Sequence, residues 1–295
     1  MTRTVPTLEK SHVDFRQSIR GQTARLPNFY SLFPEWEPQL HPEYNRARDE
    51  VLNPWIERWV PDADTSRKLQ KADFGRFAAI MCADASFEKM CTVAKAFAWY
   101  CIWDDLFDCG SLTHDKMAIP EYRDKSMQYF RAVLSSTEDA PDLSGCSNEL
   151  QKALLCWDEV AAHIRAICSE ATIPFIYGVD VSKQELSDEL IRVLFRHTSY
   201  LVHMINDMFS LRKEIVHCST AMERSSLLVQ EAACDFHEVE KRLRGLSPHA
   251  PSPVTEMFLQ GCKDVVMGLT HWSYTGQRYF KQSEIGDDNV IEFRL

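Results

Sequence analysis

The sequence predicts an all-α protein, a single-domain bundle of roughly ten helices, with residues 1–40 as an N-terminal wrapping segment and 41–295 as the domain itself. Three observations predict it. Apolar residues recur at spacings of three and four in one segment after another, which is the period of a helix with one buried face. The apolar–polar alternation of half-buried strands is nearly absent. At 295 residues and 45% hydrophobic, with no low-complexity or Gly/Ser-rich linker, the chain is long enough to bury one large core.

Taken in order, the first forty residues contain Pro6, Pro27, Pro34 and Pro38, which prevent any long helix there. His41-Pro42-Glu43 opens a run through Trp59 in which Val51, Leu52, Trp55, Ile56 and Trp59 share a face. Pro54 interrupts that run, so a helix with a local break is expected. A second helix is expected from about Thr65 to Cys82, with Leu69, Phe74, Phe77, Ala78 and Met81 inward. Asp84 or Ser86 can cap a third, Phe87 to about Asp108. After Lys95 this helix is apolar almost all round, the mark of a helix buried within a bundle. Gly110 and Pro120 bracket a loop, and helices at about 121–134 and 149–167 flank an exposed loop at 135–147. Ser182 is the expected cap of a helix at about 185–217. Helices at about 225–243 and 254–279 complete the chain, separated by Pro248, Pro251 and Pro253.

The net charge of -10 argues against a nucleic-acid partner, whose phosphates need a basic surface. An anionic substrate would need cations to bind here. Ten cysteines occur without a single CxxC pair, and several sit within apolar runs, as Cys82, Cys91, Cys101 and Cys156 do. They read as reduced core thiols, which implies a cytoplasmic protein and not a zinc site. The N-terminus lacks a signal-peptide core, and no stretch reaches the roughly 18 apolar residues of a membrane span. Either a monomer or a homodimer is compatible with this composition.

Two stretches carry chemistry. Trp103-Asp104-Asp105-Leu106-Phe107-Asp108 closes the apolar helix with three carboxylates, and Asp104 and Asp108 lie one helical turn apart. Their oxygens can converge on one hard cation, although a solvated acidic helix end has the same composition. About a hundred residues later, Asn206, Ser210 and Glu214 stand at i, i+4 and i+8, a single stripe of oxygen ligands. Two such stripes are hard to obtain by accident. His203, inside an apolar run, reads as a satisfied core histidine and not a base.

Set beside Trp272-Ser273-Tyr274-Thr275-Gly276-Gln277-Arg278-Tyr279, these stretches resemble the class I terpene synthases of the single-domain microbial type. In that family a helix end carries DDxxD, a second helix NDxxSxxxE, and a late helix ends in an Arg-Tyr pair preceded by a Trp. All three occur here in that order, over about residues 40–285. The resemblance implies a class I terpenoid synthase bundle with a central active-site cavity. It also implies a magnesium-dependent cyclase that ionises a linear isoprenoid diphosphate, farnesyl diphosphate first among the candidates, and releases a sesquiterpene. Three Mg2+ ions are implied, held by Asp104 and Asp108 on one side and by Asn206, Ser210 and Glu214 on the other. Hard oxygen ligands suit that ion. Lys213, Arg278 and Tyr279 would bond diphosphate oxygens. Arg165 is the candidate for the family's diphosphate sensor, with Arg196 as the other choice.

Loss of diphosphate leaves a carbocation, which aromatic faces stabilise by about 0.5–2 kcal/mol each. Tyr100 and Phe97 stand one and two turns before Asp104, and Trp272, Phe77 and Phe74 are further candidates for the same wall. Aromatics at helical spacing are equally the ordinary material of a core. Two departures from the family pattern are visible: a short stretch between DDLFD and Arg165, and no Asn- and Val-rich step after Glu214. They keep a catalytically impaired, binding-only relative in play. A prenyl-elongating transferase would carry DDxxD on both sides, and the second stripe here is Asn/Ser/Glu.

Overall fold

The computed structural model describes residues 21–108, 118–135, 142–167, 176, 188–214, 219–245 and 251–294, with backbone alone described at 107–108, 135, 166–167, 211–214 and 219–224. Residues 1–20 of the wrapping segment, most of the loop between Gly110 and Pro120, the Ser182 cap and the Pro248 end of the proline linker lie outside these residues. Among them the chain is all-α apart from one two-stranded sheet. It divides into two compact units, Met1–Glu37 with Lys183–Leu295, and Pro38–Ser182.

The Pro38–Ser182 unit opens with α1 (Tyr44–Arg46), a π-helical stretch (Ala47–Leu52) and α2 (Asn53–Trp59) in unbroken succession. The break expected at Pro54 takes this form. Proline has no N–H to donate and its ring crowds the carbonyl four residues back, so the preceding turn widens and the helix continues. The next expected helix is two: α3 (Ala63–Ala72) and α4 (Phe74–Met81), with Asp73 between them at φ 54°. Aspartate tolerates the left-handed region, and its carboxylate then accepts bonds from the Arg76 N–H (3.2 Å) and the Tyr44 hydroxyl (2.5 Å). An apolar stripe running through Leu69 and Phe74 hides such a joint. At Cys156 a single turn residue, still right-handed (φ −68°, ψ −17°), splits the expected 149–167 helix into α7 (Asn148–Leu155) and α8 (Trp157–Ile167).

Helix α5 (Phe87–Asp108) has the span expected for it and is the axis of this unit. It packs on α4, α7, α8 and the π-helical stretch. One face is fixed by directional bonds: the indole N–H of Trp99 donates to the Ala153 carbonyl at 2.7 Å, and that of Trp103 to Ser126 Oγ at 3.1 Å, on α6 (Ile119–Ser135). Leu106 packs with Tyr129, Leu150 and Leu154 on the same side. Lys95 tolerates a largely buried position by bonding Glu159 of α8 at 3.1 Å.

In the other unit α9 (Glu189–Glu214) packs on α10 (Ser219–Gly245) and α11 (Pro253–Thr275). The ends of the chain meet in an antiparallel pair not expected from the sequence: β1 (Thr23–Leu26) with β2 (Ile291–Arg294), Thr23 opposite Arg294. Each strand has only four residues, too few for alternation to stand out. Tyr274 knots three segments beside it. Its buried hydroxyl accepts from the Phe29 N–H at 3.1 Å and lies 2.9 Å from the Asn289 carbonyl, and burial pushes the phenol up to about 12.

The α10–α11 contact holds a charge cluster with a testable pH signature. Glu240 accepts from Lys263 at 2.6 Å and from Arg244 at 3.1 Å. Burial alone raises its pKa, but these two cations outweigh that and hold the carboxyl below the ordinary glutamate range. A depressed carboxyl contributes stability that is present above its unfolded pKa and lost as pH falls through its folded one. Glu240→Gln is therefore expected to cost about 1–3 kcal/mol at neutral pH. The gap between variant and parent, read from urea denaturation midpoints, should close as the pH falls from the ordinary glutamate range through the lowered value of Glu240.

Candidate active site

The acidic stripe stands at the C-terminal end of α5. Trp99, Trp103 and Leu106 turn one side of this helix onto α6, α7 and α8. Phe97, Tyr100 and Asp104, at spacings of three and four, share the opposite side. Burial follows that division: Trp99 is buried, Asp104 and Asp105 are half-buried and Tyr100 is 55% exposed. Phe97 lies parallel to Phe77 of α4, ring centroids 4.2 Å apart and 4° between planes. Phe77, and Phe74 one turn before it, are buried. Helix α5 reaches Asp108, but the side chain of Asp108 lies outside the described residues.

The second stripe runs along α9. Asn206 is half-buried and Ser210 is 4% exposed, its hydroxyl donating to the Asp207 carbonyl at 3.4 Å. Partial burial raises the carboxyl pKa of the neighbouring Asp207. Glu214 closes the helix by backbone, and the side chains of Lys213 and Glu214 lie outside the described residues. The late helix ends sooner than expected. Its last residue is Thr275, because Gly276 turns extended (φ −77°, ψ 161°) while its N–H still bonds the Trp272 carbonyl at 2.7 Å. Glycine has little to lose by leaving a helix. Arg278 and Tyr279 consequently stand in the bends that follow α11.

That early ending lets the C-terminal pair reach α9. The Tyr279 hydroxyl donates to Asn206 Oδ1 at 2.9 Å. Its ring is held by Phe209 (6.2 Å, planes 20° apart) and edge-on by Trp272 (5.7 Å), with the Arg278 guanidinium 5.9 Å from its centroid. Two motifs 73 residues apart thus share a hydrogen bond. Phe209 was not among the residues singled out from sequence. Its signal lay in the same motif, three positions after Asn206.

Arg165 on α8 is half-buried and donates from its guanidinium to the Val133 carbonyl near the end of α6. Arg196 is exposed on α9. His203 is exposed too, so the expectation of a core histidine does not hold. Its Nδ1 lies 2.6 Å from the Ser199 carbonyl of its own helix.

The donor chemistry fits magnesium. Asn206 Oδ1 and Ser210 Oγ are hard oxygens one helical turn apart on α9, and in the other unit Asp104 carries a carboxylate on α5. Among the described residues no group of three or more His, Cys, Asp or Glu side chains is arranged to hold a metal ion. The seven described cysteines are all free and five are buried, in line with reduced core thiols. No described helix is long and apolar enough to cross a membrane.

No family model matches the chain. It is 24% identical to terpene cyclase braA of Annulohypoxylon truncatum, over 90% of this chain and 88% of that protein. It is also 24% identical to silphinene synthase peniA of Penicillium patulum, over 89% and 87%. Among solved structures, germacradien-4-ol synthase from Streptomyces citricolor superposes with a TM-score of 0.64 at 16% identity, over 84% of this chain and 99% of that one. Linalool/nerolidol synthase from Streptomyces clavuligerus, in complex with 2-fluorogeranyl diphosphate, superposes with a TM-score of 0.56 at 16% identity, over 83% and 98%. At such identities the structures speak for the fold. Along nine-tenths of its length the chain is thus similar in sequence to a terpene cyclase and a silphinene synthase, and its all-α fold is the one seen in solved terpene synthases.

Proposed function

We propose that this enzyme ionises a linear isoprenoid diphosphate in the presence of magnesium, farnesyl diphosphate being the expected substrate, and cyclises the carbocation to a sesquiterpene with release of diphosphate. The observation that carries the reading is the 2.9 Å bond from Tyr279 to Asn206. It joins the Arg-Tyr pair to the first oxygen of the second stripe, as a common diphosphate site requires. The curated relatives are named as a terpene cyclase and a silphinene synthase, and the linalool/nerolidol synthase holds a fluorinated geranyl diphosphate.

In this reading Asp104 and Asp108 hold magnesium at the end of α5, and Asn206, Ser210 and Glu214 hold it on α9, three ions in all. Bound magnesium neutralises the diphosphate and stabilises its departure. Arg278, Lys213 and the Tyr279 hydroxyl direct charge-assisted bonds at diphosphate oxygens. Arg165 takes the sensor role: a guanidinium has five N–H donors, so the bond to Val133 leaves it further donor capacity. Phe97, Tyr100, Phe77 and Trp272 present ring faces to the cation and exclude water from it. The protein works in the cytosol, where its thiols stay reduced.

The test is direct. The full chain is incubated with magnesium and the ten-, fifteen- or twenty-carbon linear diphosphate, while diphosphate release and volatile products are followed by mass spectrometry. Release from the fifteen-carbon substrate with a cyclic hydrocarbon or alcohol is expected. No release from any of the three would overturn the reading, and acyclic products alone would remove cyclisation from it.

A further inference from the structure

The bond that carries the functional proposal also places a constraint on it. A phenol has one proton to donate. In this structure that proton is committed to Asn206 Oδ1 at 2.9 Å. The same hydroxyl cannot donate to a diphosphate oxygen until that bond is broken. Asn206 is subject to the converse constraint, because Oδ1 is the only acceptor on a carboxamide and the only atom through which it can ligate a hard cation. Oδ1 has two lone pairs, so the hydrogen bond would not bar ligation, but an O–H dipole aimed at that oxygen sets a positive end against the cation it would hold. In a half-buried site, where screening is weaker than in water, they repel.

Resting on the functional reading above, we infer that Tyr279 is a place-holder on Asn206, and that its hydroxyl transfers from Asn206 to the diphosphate as the second stripe takes up its cation. The surroundings suit such a transfer. Tyr279 stands beyond the end of α11, among bends, where a backbone pivot does not break a helical ladder. Its ring packs against Phe209 and Trp272, and the O–H can turn about its C–O bond toward another acceptor while the ring keeps that packing. Arg278 is adjacent in the chain and stacked over the ring, so the same pivot carries the guanidinium. The transfer makes the two ligands cooperative. Cation uptake frees the donor that diphosphate needs, and by linkage diphosphate favours cation uptake to the same degree.

The test uses binding and not turnover. Mn2+ is titrated into the full chain with and without inorganic pyrophosphate, followed by the paramagnetic signal of free Mn2+, for the parent, Tyr279→Phe and Asn206→Ala. Phenylalanine keeps the ring packing and removes only the hydroxyl. Without pyrophosphate, Y279F is expected to bind Mn2+ about two- to tenfold tighter than the parent, the worth of one released hydrogen bond. The tightening caused by pyrophosphate should shrink in Y279F by a similar factor. Equal or weaker Mn2+ binding by Y279F would overturn the inference, since the hydroxyl would then support the ligand. N206A separates the two levels: if it binds Mn2+ like the parent, the assignment of the second stripe fails and the inference with it. If N206A weakens Mn2+ binding while Y279F leaves it unchanged, only the place-holder role fails.

Discussion

Asp104→Asn and Asn206→Ala are each expected to lower turnover of the preferred diphosphate by more than about a hundredfold, with the helical circular-dichroism spectrum unchanged. Residues that merely support a metal ligand from outside cost roughly 10–100-fold when removed. A direct ligand should exceed that, because catalysis by charge stabilisation falls steeply when a charge is lost at the departing group. Neither side chain holds the core. Asp104 lies on the side of α5 opposite the Trp99, Trp103 and Leu106 contacts, and Asn206 is half-buried with its oxygen taken by Tyr279. Raising magnesium should recover part of the loss by mass action. Activity within tenfold of the parent in both variants would refute the site assignment.

Phe209→Ala is the substitution expected to cost most stability, about 3–5 kcal/mol, from the transfer of a buried ring and the cavity it leaves. Phe209 is wholly buried at the centre of an aromatic cluster. Its ring centroid lies 5.1 Å from that of Phe29, 5.5 Å from Tyr274, 5.9 Å from Phe280 and 6.2 Å from Tyr279. One side chain thus ties the N-terminal arm, α11 and the C-terminal segment to α9. The void is hard to collapse because its walls belong to separate segments. Urea denaturation monitored by fluorescence measures the effect, and Phe209→Leu should lose less. A loss under about 1 kcal/mol for the alanine variant would show that the cluster is not cooperative. A functional consequence follows from the same contacts. Without the Phe209 face Tyr279 loses its stacking partner, so residual activity at low temperature should fall along with stability.

How legible the molecule was depends on how local each feature is. The span of α5, Phe87–Asp108, follows from a cap signal and an unbroken apolar run, both contained within the segment. The spacing of Asn206, Ser210 and Glu214 on one stripe needs only the pitch of a helix, and α9 supplies it. The joints at Asp73 and Cys156 were hidden, because the apolar spacing continues across them while the backbone turns left-handed at the first and the helical ladder is interrupted at the second. Such turns depend on what the following helix packs against.

The feature least available to sequence reasoning was the meeting of the chain's two ends. Thr23 pairs with Arg294 across almost the whole chain, and four-residue strands carry too little pattern to announce it. Sequence alone determined the all-α class, the two oxygen stripes and the order of the motifs, since each is written within a few helical turns. Tertiary structure alone decided that α11 stops at Thr275, that Tyr279 then reaches Asn206, and that Phe209 supports the pair. The physical reason is the same throughout. Helical periodicity repeats every 3.6 residues and is legible in any short window, whereas a hydrogen bond between residues 73 apart exists only once packing has closed the distance.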